Sequence, residues 1–351
     1  MITRSVKIPS FFYVNKGALD TISDILAKET VDSSRTLIVS GKAFTKPIGD
    51  RVKRSIDGDS ARIYIDSNEG GPIKEIEKSI KEFAPTLILG VGGGKVLDAT
   101  KFSAYNLDKP FVAIPTVLSN DGISSPVSVI HADHRACSVG ANPPMGIIVD
   151  IDVVRRAPKE TVLSGIGDLV SNISAVDDWN LANMYLGEKI DKFAEILAKN
   201  SADVLLRHLL AAENDSVSIL DERILTLLAE GLIQSGIAMS LAGSSRPCSG
   251  SEHLISHALD QLLNFKKSHG LQVGLATLFT TALRRKDISS LSKLFRGIGF
   301  PASPVQLGIS ISTFLEAIKI APTTRKDRFT ILDIVSESEI KEAIKIAYGA
   351  S

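Results

Sequence analysis

The alternation of apolar and polar positions changes character near residue 150. Before that point, residues 35–40, 61–65, 87–89, 111–114 and 145–149 are short apolar runs closed by glycine, proline or polar residues. Such continuous runs predict strands covered on both faces. Between them helical periodicity returns, most clearly at Ile73, Ile76, Ile80 and Phe83. Residues 7–14 predict an edge strand, because Pro9 cannot donate to a ladder while Phe11, Phe12 and Tyr13 favour extended backbone. A helix is expected over 17–27, and a small hairpin from 127–130 and 135–139, turning at Ala132-Asp133. Strands alternating with helices at this spacing predict an α/β, Rossmann-like, doubly wound parallel sheet. From Val153 onward the period is nearly all helical, with long stretches at 190–211 and 224–241. The expected organisation is an α/β domain over 1–150 and an all-α domain over 151–351. Two domains imply a cleft.

The stretch 86–101 reads Thr-Leu-Ile-Leu-Gly-Val-Gly-Gly-Gly-Lys-Val-Leu-Asp-Ala-Thr-Lys. Gly90, Gly92, Gly93 and Gly94 place no side chain between a buried strand and a helix expected from Lys95, so backbone N–H groups and the positive end of the helix dipole face an anion. This predicts a pyrophosphate cradle. It is not a Walker loop, because Leu89 and Val96 stand where glycine and Ser or Thr are needed, and Lys95 breaks the usual Gly-x-Gly-x-x-Gly. The polar segment 117–126 follows another strand, at the end of the sheet where α/β proteins bind ligands.

A length of 351 residues accommodates two cores. Forty basic residues balance forty acidic ones without a basic cluster, which argues against a nucleic-acid partner. Cys137 and Cys248 are too few for a disulfide framework and lack zinc-ribbon spacing. No stretch approaches the ~20 apolar residues of a membrane span, and the first ten residues lack an apolar export core. A cytoplasmic protein without membrane insertion is expected.

Three of the six histidines fall within 17 residues: His253 and His257, four apart and so on one face of a helix, and His269 in Lys-Ser-His-Gly. One further ligand completes a metal site. Asp168 is the candidate, expected to open a helix after Gly165-Ile166-Gly167; by itself such an aspartate is equally a helix cap.

The stretches Gly-Val-Gly-Gly-Gly-Lys-Val-Leu-Asp, Pro-Thr-Val-Leu-Ser-Asn-Asp-Gly-Ile-Ser-Ser-Pro, Gly-Ile-Gly-Asp-Leu-Val-Ser-Asn and Arg-Pro-Cys-Ser-Gly-Ser-Glu-His-Leu-Ile-Ser-His together resemble the sn-glycerol-1-phosphate dehydrogenases. Those enzymes belong to the group containing glycerol dehydrogenase, iron-containing alcohol dehydrogenases and dehydroquinate synthase. The likeness runs along essentially the whole chain. It implies reduction of dihydroxyacetone phosphate with NAD(H) or NADP(H), for archaeal-type membrane lipids; glycerol dehydrogenase, acting on an unphosphorylated polyol, is the alternative. It implies cofactor contacts from Gly94, Lys95, Val96, Leu97, Asp98, Thr116, Val117, Leu118, Ser119 and Ser125. Asp121 and His257 would touch a phosphorylated triose or glycerol, and Asp168, His253 and His269 would hold one zinc ion, with Asp168 also near substrate. Asn120 departs from the Ser-His common in the family, leaving the bonding around Asp121 open. Iron-dependent relatives carry a further histidine where this chain has Asn172, and three protein ligands with an open fourth position suit catalytic zinc. Lys42, after the strand at 35–40, stands where an acidic residue often meets the adenine ribose, so both NADH and NADPH are expected to serve. Long apolar helices leave a face for self-association, and a homo-oligomer is expected.

Overall fold

The computed structural model describes residues 5–132, 135–211, 218–264 and 267–349. The chain divides into two compact units, Met1–Pro158 and Lys159–Ser351.

In the first unit the strands are β1 (Phe11–Asn15), β2 (Arg35–Gly41), β3 (Asp59–Ile65), β4 (Leu87–Gly92), β5 (Phe111–Pro115), β6 (Val127–Ala132), β7 (Arg135–Gly140) and β8 (Gly146–Asp150). The helices are α1 (Ile22–Lys28), α2 (Lys46–Arg54), α3 (Gly70–Phe83), α4 (Gly94–Asn106) and the single turn α5 (Ile151–Val154). Six strands form a sheet ordered β1-β8-β5-β4-β2-β3, every adjacent pair parallel. Every residue of β4, β5 and β8 is buried, as their uninterrupted apolar runs demand. Burying each of Leu87, Ile88 and Leu89 contributes about 2 kcal/mol. The chain passes from β2 out to β3 and then returns to β4 on the other side of β2. That reversal makes the carboxyl ends of β2 and β4 the switch point where open α/β sheets take ligands.

β6 and β7 pair antiparallel as a separate ribbon; of the expected Ala132-Asp133 turn, Asp133 lies outside the described residues. At the end of β8, Asp150 also caps α5 through the Asp152 amide. The same buried carboxylate accepts the amides of Gly17 and Leu19.

The second unit is helical among its described residues: α6 (Lys159–Val170), α7 (Asn172–Leu186), α8 (Lys192–Ala211), α9 (Glu222–Ala242), α10 (Ser251–Leu263), α11 (His269–Leu283), α12 (Ser289–Ile298), α13 (Ile311–Thr324) and α14 (Glu337–Tyr348). Contrary to the expectation of no such stretch, α9 is long and apolar enough to cross a membrane. Most of it is buried, including Ile224, Leu225, Leu228, Leu232 and Ile233, as a core helix requires. Both cysteines are free, Cys137 exposed and Cys248 buried.

One local expectation is corrected. Asp168 does not open a helix; it lies near the carboxyl end of α6, and Gly165 and Gly167 are helical. Gly167 serves helix contact, not a turn. A Cβ on Gly167 would lie 2.2 Å from the Gly270 carbonyl, and one on Gly270 would lie 2.0 Å from the Ser164 carbonyl. Two backbones therefore touch, and the contact sets Asp168 of α6 beside His269, the first residue of α11.

Candidate metal centre and dinucleotide cradle

In the first unit the glycine turn divides its work. A Cβ on Gly90 would meet the Phe111 ring at 2.7 Å, and one on Gly92 would meet Val96 Cβ at 2.6 Å. These two glycines allow helix and strand to pack. Gly93 and Gly94 face the other way: at Gly94 a Cβ would find only Asn120 Nδ2, 3.8 Å off. Gly93 caps α4 without a side chain, so the first amides of a thirteen-residue helix stay available to an anion. Lys95 is exposed, whereas Val96 and Leu97 are buried.

Asp98 is drawn inward, 3.4 Å from Lys101 Nζ. Lys101 is 2% exposed and donates to the carbonyls of Gly122 at 2.9 Å and Ser125 at 3.2 Å. Burial pushes the Asp98 carboxyl up and the Lys101 ammonium down, each opposed by the attraction of the other. Lys101 thus holds the loop that carries Asp121 and Ser125. In that loop Asn120 accepts the Gly122 amide at 2.9 Å and caps the short helical turn Asp121–Ile123, so it supplies its own local bond where the family often has histidine. Thr116 donates its amide to the Gly92 carbonyl, Leu118 is fully buried, Val117 and Ser119 are half-buried, and the Ser125 hydroxyl donates to the Val127 carbonyl. Lys101→Met, which leaves the buried Asp98 carboxyl without its cation, is expected to cost about 3 kcal/mol and to raise the KM for the dinucleotide. A melting curve and a cofactor titration check this; an unchanged KM would separate Lys101 from the loop's function.

In the second unit Asp168, His253 and His269 come together. Their ligand atoms all lie within 4.8 Å of one another, with Asp168 Oδ1 3.6 Å from His253 Nε2 and 3.8 Å from His269 Nε2. Each imidazole is held by its other nitrogen. His253 Nδ1 lies 3.0 Å from Glu252, a fully buried carboxylate that also accepts the Gly250 amide at 2.6 Å and the Ser174 hydroxyl at 2.8 Å. His269 Nδ1 lies 3.0 Å from the Ser256 hydroxyl, which donates to Gln272, itself donating to Asp260. Supports of this kind fix the ring and point the free lone pair at a metal. A carboxylate and two imidazoles with an open fourth position suit a divalent ion such as catalytic zinc. Asn172 is turned away, its amide nitrogen shared among Ala198, Ser201 and Ser235, so it supplies no fourth ligand.

His257 stands beside this cluster, its ring stacked at 6.3 Å from His269 and edge-on at 6.5 Å from His253. Burial, with the positive charge of His269, His253, Arg325 and Arg328, pulls its pKa down to about 3, so it is neutral at physiological pH. Burial and the neighbouring His253 likewise pull His269 down to about 4. His253 goes the other way: burial alone would depress it, but hydrogen bonds to Asp168 and Glu252 prevail and raise it to about 9. The metal-free protein therefore carries a proton on His253 at pH 7.

Zinc must displace that proton, so binding at pH 7 is expected to release about one proton, and the apparent affinity to rise roughly tenfold per pH unit until about pH 9. Stability of the metal-free protein follows the opposite sign. The raised folded-state pKa contributes stability that is complete below the unfolded value of 6.5 and is lost as pH climbs through about 9. Calorimetry in buffers of different ionisation enthalpy reads the proton; a pH-independent affinity from 6 to 9 would contradict the charge assignment.

Sequence reasoning did not single out Glu252, Ser256 or Lys101 as supports. Glu252 adjoins His253, but adjacent helical residues diverge, so only the folded chain shows that its carboxylate reaches the ring.

The profile of the iron-containing alcohol dehydrogenase family matches residues 13–158, nearly the whole first unit. Among curated proteins, the chain is 33% identical over 329 residues to glycerol-1-phosphate dehydrogenase (NAD(P)+) of Pyrococcus abyssi, covering 93% of each. It is 33% identical to the protein of that name from Nitrosopumilus maritimus, covering 97% of this chain and 95% of that one. The Methanoculleus marisnigri protein is 36% identical over 89% of this chain and 86% of its own. Among solved structures, a probable glycerol dehydrogenase from Sinorhizobium meliloti 1021 superposes with a TM-score of 0.76 over 99% of both chains at 21% identity. The glycerol dehydrogenase of Schizosaccharomyces pombe does so at 0.75 and 21% identity, over 99% of this chain and 91% of that one. At that identity the structures speak for the fold alone, whereas the sequence relatives extend over nearly the full length. The chain belongs to the family of NAD(P)-dependent glycerol-1-phosphate dehydrogenases.

Proposed function

We propose that this protein reduces dihydroxyacetone phosphate to sn-glycerol 1-phosphate with NADPH or NADH, in the cytoplasm and as a homo-oligomer, supplying the backbone of archaeal-type membrane lipids. The observation that carries the reading is the Asp168, His253 and His269 donor set, each imidazole supported at Nδ1, in a chain of this family. When bound, a zinc ion supplies Lewis-acid polarisation of a ketone carbonyl, and the reduced nicotinamide supplies hydride.

The remaining tasks fall to the chain. The amides at Gly94 and Lys95 would take the pyrophosphate, with Val96, Leu97 and the Thr116–Ser119 backbone shaping the pocket around it. Lys101 holds Asp121 and Ser125 in register for substrate and nicotinamide. Glu252 keeps the His253 Nε2 lone pair directed at the ion. His257, neutral and adjacent to the donor set, would orient a substrate hydroxyl, since with a pKa of about 3 it holds no spare proton at pH 7 to deliver as an imidazolium. Lys42 pairs with Asp66 at 2.8 Å, but both are exposed and such a pair is weak, so the ammonium is available to a 2′-phosphate and NADPH is accepted beside NADH.

The decisive experiment combines a chiral assay of the product from dihydroxyacetone phosphate with zinc content on the same sample. Expected are sn-glycerol 1-phosphate, about one zinc per chain, and turnover with either nicotinamide. Faster oxidation of glycerol than of glycerol 1-phosphate would favour the unphosphorylated-polyol reading instead.

A further inference from the structure

The second unit contains a group of arginines with no task in the scheme above. Arg246, Arg325 and Arg328 converge on residues 245–249, the segment leading into α10. Arg246 is compensated: its guanidinium pairs with Glu188 and donates to the Phe329 carbonyl at 2.8 Å. Arg284 is likewise paired with buried Asp178. Arg325 and Arg328 differ, since among the described residues neither forms an ion pair with a carboxylate.

Arg328 is only 6% exposed, yet its donors reach neutral oxygens, the Ser249 carbonyl and the Ser245 hydroxyl at 3.0 Å. Arg325 donates to the same Ser245 oxygen at 3.1 Å. Two like charges thus share one hydroxyl. Burial and the repulsion of Arg325 and Arg246 pull Arg328 down to about 9, opposed by the charges of Asp327 and Glu252. A buried cation without a counter-ion is costly, and an anion at this point would relieve both the burial and the repulsion.

The pair also adjoins the reaction site. The bond from Arg328 to Ser249 fixes it against the residue before Gly250, the N-cap of the helix bearing His253 and His257. Guanidinium forks match phosphate oxygens two at a time, unlike the point charge of lysine.

We infer that Arg325 and Arg328, bridged by Ser245, form the clamp for the phosphate group of the substrate and set the preference for a phosphorylated ketone over its unphosphorylated counterpart. The inference rests on the proposed reaction for the identity of the ketone, but the anion site stands on the arginines themselves.

In zinc-loaded enzyme with saturating NADPH, Arg325→Met is expected to lower kcat/KM for dihydroxyacetone phosphate about thirtyfold, and the ratio of that value to the one for dihydroxyacetone by a similar factor. Inorganic phosphate, as a competitive inhibitor, loses potency in parallel, and Arg325→Lys restores part of both. Arg325 is half-buried and so is the safer variant; Arg328→Met is compared only after a melting curve shows it folded. Equal losses on both ketones, or undiminished phosphate inhibition, would overturn the clamp. If the wild type does not turn over dihydroxyacetone phosphate, the proposed function fails, and calorimetric titration with inorganic phosphate decides the clamp separately. Binding lost in Arg325→Met supports it, and identical binding in both proteins refutes it.

Discussion

His253→Ala is expected to abolish zinc binding at micromolar metal and to lower kcat/KM for dihydroxyacetone phosphate by about four orders of magnitude, equivalent to several kcal/mol of transition-state stabilisation. The proposed site has three protein ligands, so losing one leaves a carboxylate and a single imidazole, too few to hold the ion against chelation by buffer. The variant also leaves Glu252 buried with one hydrogen bond fewer, although the Gly250 amide and the Ser174 hydroxyl still satisfy it. For that reason the protein should remain folded, and the loss should lie in metal content and rate. Glu252→Gln is the contrasting variant: it keeps all three ligands and weakens only the support of His253, so a 10- to 100-fold loss of zinc affinity is expected. Metal analysis and steady-state rates on the same samples test both. A zinc-free His253→Ala protein with the wild-type rate would remove the metal from the reaction.

Gly270→Ala is expected to destabilise the second unit by about 3 kcal/mol and to weaken zinc binding at the same time. The new methyl group would sit 2.0 Å from the Ser164 carbonyl oxygen and 2.6 Å from its hydroxyl. A flexible side chain could swing aside, but a helix carbonyl cannot move without moving the helix. Relief therefore requires α6 and α11 to separate, and those helices carry Asp168 and His269. Gly167→Ala tests the same contact from the other side, since its methyl group would lie 2.2 Å from the Gly270 carbonyl. The two variants should be less than additive, because either one opens the same gap. Thermal melts with and without zinc, together with a chelator competition, measure the two effects. Wild-type zinc affinity in a folded Gly270→Ala protein would show that helix contact does not set the ligand geometry.

The fold of the first unit was legible because its determinants are local. Apolar runs, a four-glycine stretch and helical spacing at Ile73, Ile76 and Ile80 each report burial or turn geometry within a few residues, and β4, α3 and α4 follow from them. The histidine pair was legible for the same reason, since four residues is one helical turn. The residue identity of Asp168 was also visible. Its setting was not: Gly-Ile-Gly reads locally as a turn, and only the approach of α11 explains why glycine is needed inside a helix. Asp98 shows the same limit, its carboxylate drawn to Lys101 by a burial that composition does not reveal.

The sequence by itself determined most of the strands and helices, where a glycine turn leaves amides free, and which side chains have donor chemistry for a divalent ion, because periodicity and residue type act over one or two turns of chain. Tertiary structure alone decided that three candidate ligands 85 and 16 residues apart meet within 4.8 Å, that Asn172 turns away from them, and that Arg325 and Arg328 share one hydroxyl with no ion pair among the described residues. Those outcomes depend on close contact between distant helices and on the loss of water around charge, and neither is written in any short stretch of sequence.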